Sequence, residues 1–215
     1  MEFDIGMSKQ DSAFNVVSTC AYAGTPNIDA IESAWNLKKE ILKSLDTSDD
    51  DITSAEKDWR LLEGKRYTTP NSFDFVIESV GQFKEDVIVQ KATNVMLSKI
   101  ETFKDVINKE GHRIINGSQS TIPHSYDITL EGEDYTLGKV LEYILYANHF
   151  DTDTSPFNLS YCGFSKPHPH IDSSIIRVAF KDDKTNEHVK ELMTLVCDSA
   201  TDIYQQISEN FVTSE

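Results

Sequence analysis

Cysteine, glycine, proline and positive charge are all scarce in this 215-residue chain, and it has no long apolar run. The three cysteines, Cys20, Cys162 and Cys197, are odd in number and far apart, which argues against a disulfide framework and offers no paired metal-ligand spacing. With 9 Gly and 6 Pro the chain is neither collagen-like nor a flexible linker, and without a long apolar run no membrane-spanning helix is expected. Lys plus Arg number 20 against 36 Asp plus Glu, a formal charge of -16. Such a surface repels nucleic-acid phosphate as a whole and suits basic partners, so direct, nonspecific binding of DNA or RNA is not expected. Met1 is followed by Glu2, Phe3 and Asp4 rather than by a basic segment and an apolar stretch. No secretory leader is therefore expected, and the sequons at Asn116 and Asn158 should stay unused.

What the chain does contain is enough apolar material, 39% of its residues, to bury a core in one domain or in two of about 100 residues each. Asn27 or Asp29 can cap a helix in which Ile28, Ile31, Trp35, Leu42 and Leu45 recur at three- and four-residue spacing. Residues 46–51 read DTSDDD but lack the Gly and Glu that a calcium loop needs at its sixth and twelfth positions, where Asp51 and Lys57 stand. An exposed loop is expected there. After Pro70, the alternation of Phe73, Phe75 and Ile77 predicts a strand with one buried face. Between Lys84 and Lys109 a long helix should carry the stripe Ile88, Ala92, Val95, Met96, Ile100, Phe103 and Ile107, which needs another long helix against it.

Residues 111–123, GHRIINGSQSTIP, read as a linker. Beyond it come a strand at Ser125–Glu131, a helix capped by Thr136 and carrying Leu137, Val140, Leu141, Ile144 and Leu145, and a loop at Asp151–Pro156. A strand at Ser173–Phe180 and a helix from about Thr185 to Phe211 follow, the helix bearing Val189, Leu192, Met193, Val196, Ala200, Ile203 and Ile207. Strand, turn and long amphipathic helix thus occur twice, at 73–109 and 173–211, which predicts two related α+β modules paired through their helices.

Signals for catalysis are weak. There is no GxSxG, no phosphate-cradling glycine loop and no HExxH. His168 and His170 flank Pro169 in KPHPH, a pair able to ligate a metal but better suited to a rigid turn ahead of the strand at Ser173. Cys162 lies near them in sequence without a nucleophile signature. Tyr135, Tyr143 and Tyr146 stand among Glu131, Glu133, Asp134 and Glu142, a setting for packing rather than for base stacking.

The segments Glu133-Asp134-Tyr135-Thr136-Leu137-Gly138-Lys139 and Tyr161-Cys162-Gly163-Phe164-Ser165-Lys166-Pro167-His168-Pro169 resemble, in order, the paired signature of the small α-like RNA polymerase subunit, the archaeal L type and its eukaryotic nuclear counterparts. Tyr135 stands where that family usually has His, and Lys139 where it has Asn. The resemblance covers residues 113–215. Residues 3–109 resemble the C-terminal part of the partner, the D-type or third-largest subunit, through Phe75-Val76-Ile77-Glu78-Ser79-Val80-Gly81-Gln82-Phe83, with Gly6, Lys9, Phe14 and Val17 upstream. Asp11 and Val16 replace the usual His and Pro there, and the family's first strand, first dimerisation helix and cysteine-bearing inserted domain find no counterpart. A fusion of this kind resembles polymerase subunits of large nucleocytoplasmic DNA viruses.

The resemblance implies an α+β chain of two dimerisation modules, each an antiparallel sheet with long packed helices. These are an incomplete D-type module at 1–112 and an L-type module at 113–215. It implies a non-catalytic assembly subunit of a multisubunit DNA-directed RNA polymerase, active in viral transcription, that nucleates the two largest subunits with small assembly subunits. Either the sequence is a fragment of a longer D-type module, or a separate upstream D-type polypeptide would complete the first module. No catalytic residue, cofactor or metal site is expected in this chain, DNA would be met only indirectly, and no membrane is implied. Residence would be intracellular, in the nucleus, a cytoplasmic viral factory or the virion. From periodicity, Leu137, Val140, Leu141, Ile144 and Leu145, with Val189, Leu192, Met193 and Val196, should meet the stripe around Ile88, Val95 and Ile100, unless they form the core of their own module. Two other classes stay open: a stand-alone adaptor with an α-like fold, and an enzyme using Cys162, His168 and His170.

Overall fold

The computed structural model describes residues 4–109, 113–116, 121–152 and 154–211. It divides into two units, Met1–Glu85 and Asp86–Glu215. The first holds strand β1 (Val17–Pro26), helices α1 (Ile28–Ser44) and α2 (Asp49–Leu61), and strand β2 (Thr68–Ser79). The strands pair antiparallel as a two-stranded ribbon, with Tyr22 opposite Phe75 and Cys20 opposite Ile77.

Asn27 caps α1, its side chain accepting the Ala30 N–H at 3.0 Å. Trp35, Ile52 and Trp59 are the buried core of this unit, with Ile31, Ala34 and Leu42 packed against them. The two indoles lie 5.6 Å apart. Arg60 forks onto Glu32 at 2.9 and 3.2 Å and reaches Glu56 at 2.9 Å. The guanidinium hydrogen bond holds the Glu32 carboxyl below its ordinary range.

Three expectations change in this unit. Residues 49–51 are not loop but the first turn of α2: Ser48 caps it by accepting the Asp51 N–H at 3.2 Å, and the three aspartates face the positive end of the helix dipole. Ile28 and Leu45 are exposed, so only the middle of the expected α1 stripe turns inward. The strand at 73–77 forms as expected, yet Phe73 and Phe75 are 58% and 66% exposed.

The second unit begins with most of α3 (Glu85–Lys109), followed by β3 (Ile114–Asn116), β4 (Ser125–Glu131), α4 (Tyr135–His149), β5 (Leu159–Ser165), β6 (Ser173–Phe180) and α5 (Asn186–Asn210). The strands form one antiparallel sheet in the order β3-β4-β6-β5. Alternation sends Tyr126, Ile128 and Leu130 of β4, and Ile176, Val178 and Phe180 of β6, into a core shared with α3, α4 and α5. Asp127 and Arg177 sit opposite each other across β4 and β6, on alternate positions, and pair at 2.5 and 2.6 Å. Each fully buried aliphatic side chain contributes about 1.5–3 kcal/mol, against about 0–1 for an exposed ion pair, so this core holds the unit together.

Here too the structure revises details. Asp134, not Thr136, caps α4; its carboxylate accepts the Thr136 N–H at 3.1 Å. On α3 the buried line is Thr93, Met96, Ile100, Phe103 and Ile107, while Ala92 and Val95 turn outward. Ile203 and Ile207 of α5 are likewise exposed. Within the expected linker at 111–123, residues 114–116 form β3; residues 111, 112 and 117–120 lie outside the described residues. The packing boundary falls at 85/86, so α3, read from sequence as part of the first module, shares its core with the second.

Candidate subunit interface

Two short segments, far apart in sequence, meet at the ring of Phe164. α4 starts beside it because Asp134 caps the helix while Ser174 Oγ donates to the Glu133 carbonyl at 2.9 Å, tying the turn to β6. Gly138 then presents bare backbone to the ring: a Cβ there would lie 2.0 Å from Phe164 Cε2. Tyr135 meets the ring edge-on at 5.3 Å, and the Lys139 ammonium stands 5.9 Å from its centroid. Glu142, one turn along α4, accepts the Phe164 N–H at 2.9 Å, so a side chain takes an amide on the edge strand β5. Downstream, Lys166 Nζ donates to the Ile171 carbonyl at 2.9 Å and the His170 N–H to His168 Nδ1 at 3.2 Å, which folds KPHPH into a turn.

α3 joins this arrangement through polar contacts as well as through the core. Lys99 pairs with Glu133 at 2.6 Å, Lys104 pairs with Asp198 of α5, and Thr194 Oγ1 stands 3.5 Å from Asn108 Oδ1. The residue pairs 104/198 and 108/194 run in opposite senses, so α3 and α5 lie antiparallel. The carboxylate hydrogen bond raises the Lys104 pKa, which keeps its positive charge in place.

Of the twelve residues that periodicity nominates for an interface, nine lie in this single core: Ile100, Leu137, Leu141, Ile144, Leu145, Val189, Leu192, Met193 and Val196. Val140 is partly buried against it, Ile88 is half-buried, and Val95 is 56% exposed. α3 residues therefore meet α4 and α5 residues within one unit of one chain.

Sequence reasoning missed a shallow groove of about 370 Å³ lined by Lys139, Glu142, Tyr143, Tyr146 and Cys162. Its only advance signal is the i, i+3, i+4 and i+7 spacing of the α4 members, opposite the buried stripe. Burial, aided by the nearby Glu142 charge, pushes the Cys162 thiol up to about 11, the reverse of what an activated nucleophile needs. Among the described residues, no group of three or more His, Cys, Asp or Glu is placed to hold a metal ion, and no helix is long and apolar enough to cross a membrane.

Residues 125–210 match the family described as the RNA polymerase Rpb3/Rpb11 dimerisation domain. The chain is also similar to a protein named as a DNA-directed RNA polymerase subunit of Acanthamoeba polyphaga mimivirus, 25% identical over 123 residues. That match covers 57% of this chain and 31% of the relative. This chain thus spans about a third of the relative's length.

Proposed function

We propose, from the match of residues 125–210 to the RNA polymerase Rpb3/Rpb11 dimerisation domain, that this chain is a non-catalytic assembly subunit of a multisubunit DNA-directed RNA polymerase. One observation supports the reading: α3 shares a core with α4 and α5, helices of the region that matches the dimerisation family. A contact that two subunits would make between chains is then made inside one. Position, not chemistry, is the product of such a fold. The buried faces hold α4 and α5 rigid, and the outer surface is left to meet the two largest subunits and other small assembly subunits. An acidic chain suits basic protein surfaces and leaves template to others. Transcription in a nucleus or a cytoplasmic viral factory fits the mimivirus relative.

Affinity purification of the tagged chain from its native cells, with mass spectrometry and an RNA-synthesis assay on the eluate, tests this. Recovery with two very large polymerase subunits and RNA synthesis is expected. Recovery alone, or with partners unrelated to transcription, would replace it with a stand-alone adaptor.

A further inference from the structure

We propose that Lys99 is a positioning residue: through its ion pair with Glu133, helix α3 sets the first turn of α4, and with it the exposed rim of Tyr135 and Lys139 that is offered to partner subunits. The consequence for assembly rests on the assembly-subunit reading; the latch itself does not.

Two lysines flank the buried stripe of α3. At 100° per residue, Lys99 and Lys104 lie about 70° to either side of the line through Met96, Ile100, Phe103 and Ile107. Lys104 turns to Asp198 of α5, and Lys99 turns the other way to Glu133, 2.6 Å off in the turn between β4 and α4. The long aliphatic stems let both ammonium groups reach past the edge of the core.

Glu133 is the joint of that turn. Its carbonyl accepts Ser174 Oγ at 2.9 Å, and Gly132 before it, at a φ of +70°, donates its N–H to the Asp172 carbonyl at 2.8 Å. The chain entering β6 thus holds the backbone of the turn, whereas α3 holds its side chain. Asp134 comes next and begins the helix: its carboxylate accepts the Thr136 N–H and its carbonyl the Gly138 N–H, both at 3.1 Å. Both bonds follow from where residues 133 and 134 are placed.

Beyond the turn, Tyr135 is 58% exposed yet held edge-on against Phe164, and Lys139 is exposed yet paired with Glu142. Exposed side chains that are fixed in advance lose little freedom on binding, as a preformed contact surface requires. The Lys99–Glu133 pair is partly open, its side chains 36% and 20% exposed, so it adds little to global stability. Removing it should loosen the turn and leave the core alone.

Hydrogen exchange of the full chain, followed by NMR at the Thr136 and Gly138 amides, tests the latch. Lys99→Met keeps the stem and loses the charge; it should raise exchange there about two- to fivefold, with the urea midpoint and the core amides of α5 unchanged. Glu133→Gln should do the same, and the charge-swapped Lys99→Glu, Glu133→Lys chain should regain the parent rate. Lys104→Met, on the other flank, should leave both amides as they were. Unchanged exchange in Lys99→Met and Glu133→Gln overturns the latch. So does faster exchange that spreads to the α5 core, which makes Lys99 an ordinary stabilising residue. Co-purification with large polymerase subunits reads the consequence: it should fall by about half in Lys99→Met, as fewer chains hold the turn in place, and recover in the charge-swapped chain. Undiminished co-purification overturns the role in assembly. A parent chain that brings down no polymerase subunit removes the assembly reading instead, while exchange still decides the latch.

Discussion

The ring of Phe164 rests on the backbone of Gly138, so close that a Cβ there would stand 2.0 Å from Phe164 Cε2. Gly138→Ala would gain about 1 kcal/mol in helix propensity, but overpacking costs about 1–3 kcal/mol, and the ring is also pinned by Tyr135 and by the Glu142 bond at its amide. The variant should unfold at lower urea than the parent. Adding Phe164→Leu should recover part of the loss; a variant as stable as the parent would contradict the contact.

Leu192 and Val95 separate core from surface. Leu192 is fully buried, so Leu192→Asp leaves an uncompensated buried carboxylate and should abolish cooperative unfolding, a loss of more than about 3 kcal/mol. Val95→Asp, on an exposed face, should change stability by no more than about 0.5 kcal/mol. Circular dichroism during urea titration reads both. If Val95→Asp folds normally but fails to co-purify with large polymerase subunits, its face is a contact to another chain.

The three thiols should react in the order Cys20, Cys162, Cys197. Cys20 is exposed, Cys162 is half-buried with its thiol raised to about 11, and Cys197 is buried with its thiol raised to about 12, in both cases first by desolvation. A time course of iodoacetamide labelling at pH 8, resolved by peptide mass spectrometry, should show Cys197 modified only after denaturant is added. Early labelling of Cys197 would mean that the helix core opens readily.

Acid should weaken the second unit through His149. Burial holds this imidazole below its ordinary 6.5, while Nδ1 bonds Ser155 Oγ at 2.7 Å and the ring meets Phe157 edge-on. The folded chain resists a proton that the unfolded chain accepts, so stability is full above about pH 6.5 and falls as the pH drops toward the lower folded-state pKa. His149→Asn should shrink the difference in urea midpoint between pH 7.5 and pH 5.5. An unchanged difference would assign the acid sensitivity to other groups.

Both tryptophans of the chain, Trp35 and Trp59, lie in the small core of the first unit. Indole fluorescence therefore reports that unit alone, whereas far-ultraviolet dichroism reports both. Because the first core is much the smaller, the fluorescence transition should come at lower urea. Coincident transitions would show that the two units unfold together.

Much of the second unit was legible in the sequence because local signals and packing agree there. The alternation in Ser125–Glu131 and Ser173–Phe180, and the α5 stripe up to Ala200, end in the same core. Elsewhere local pattern and surroundings part company. Phe73 and Phe75 alternate as a half-buried strand would, yet burial belongs to the neighbour and no described neighbour covers them. α2 went unseen because its only buried residues, Ile52 and Trp59, stand a full seven positions apart within an acidic stretch. Val95 shares the apolar spacing of α3 but points some 140° from Ile100 at 100° per residue, which a list of apolar positions conceals. The Phe164 cluster was visible as two motifs; that they meet, with Gly138 as the space between them, needed coordinates.

The run of chain from α3 to α4 means that the helices sharing this core are never independent solutes. Their encounter is intramolecular, with an effective concentration set by the tether rather than by expression level. Helices on separate chains would come apart on dilution and could exchange partners; these can do neither without unfolding. Their ratio is fixed at one to one by the covalent chain itself.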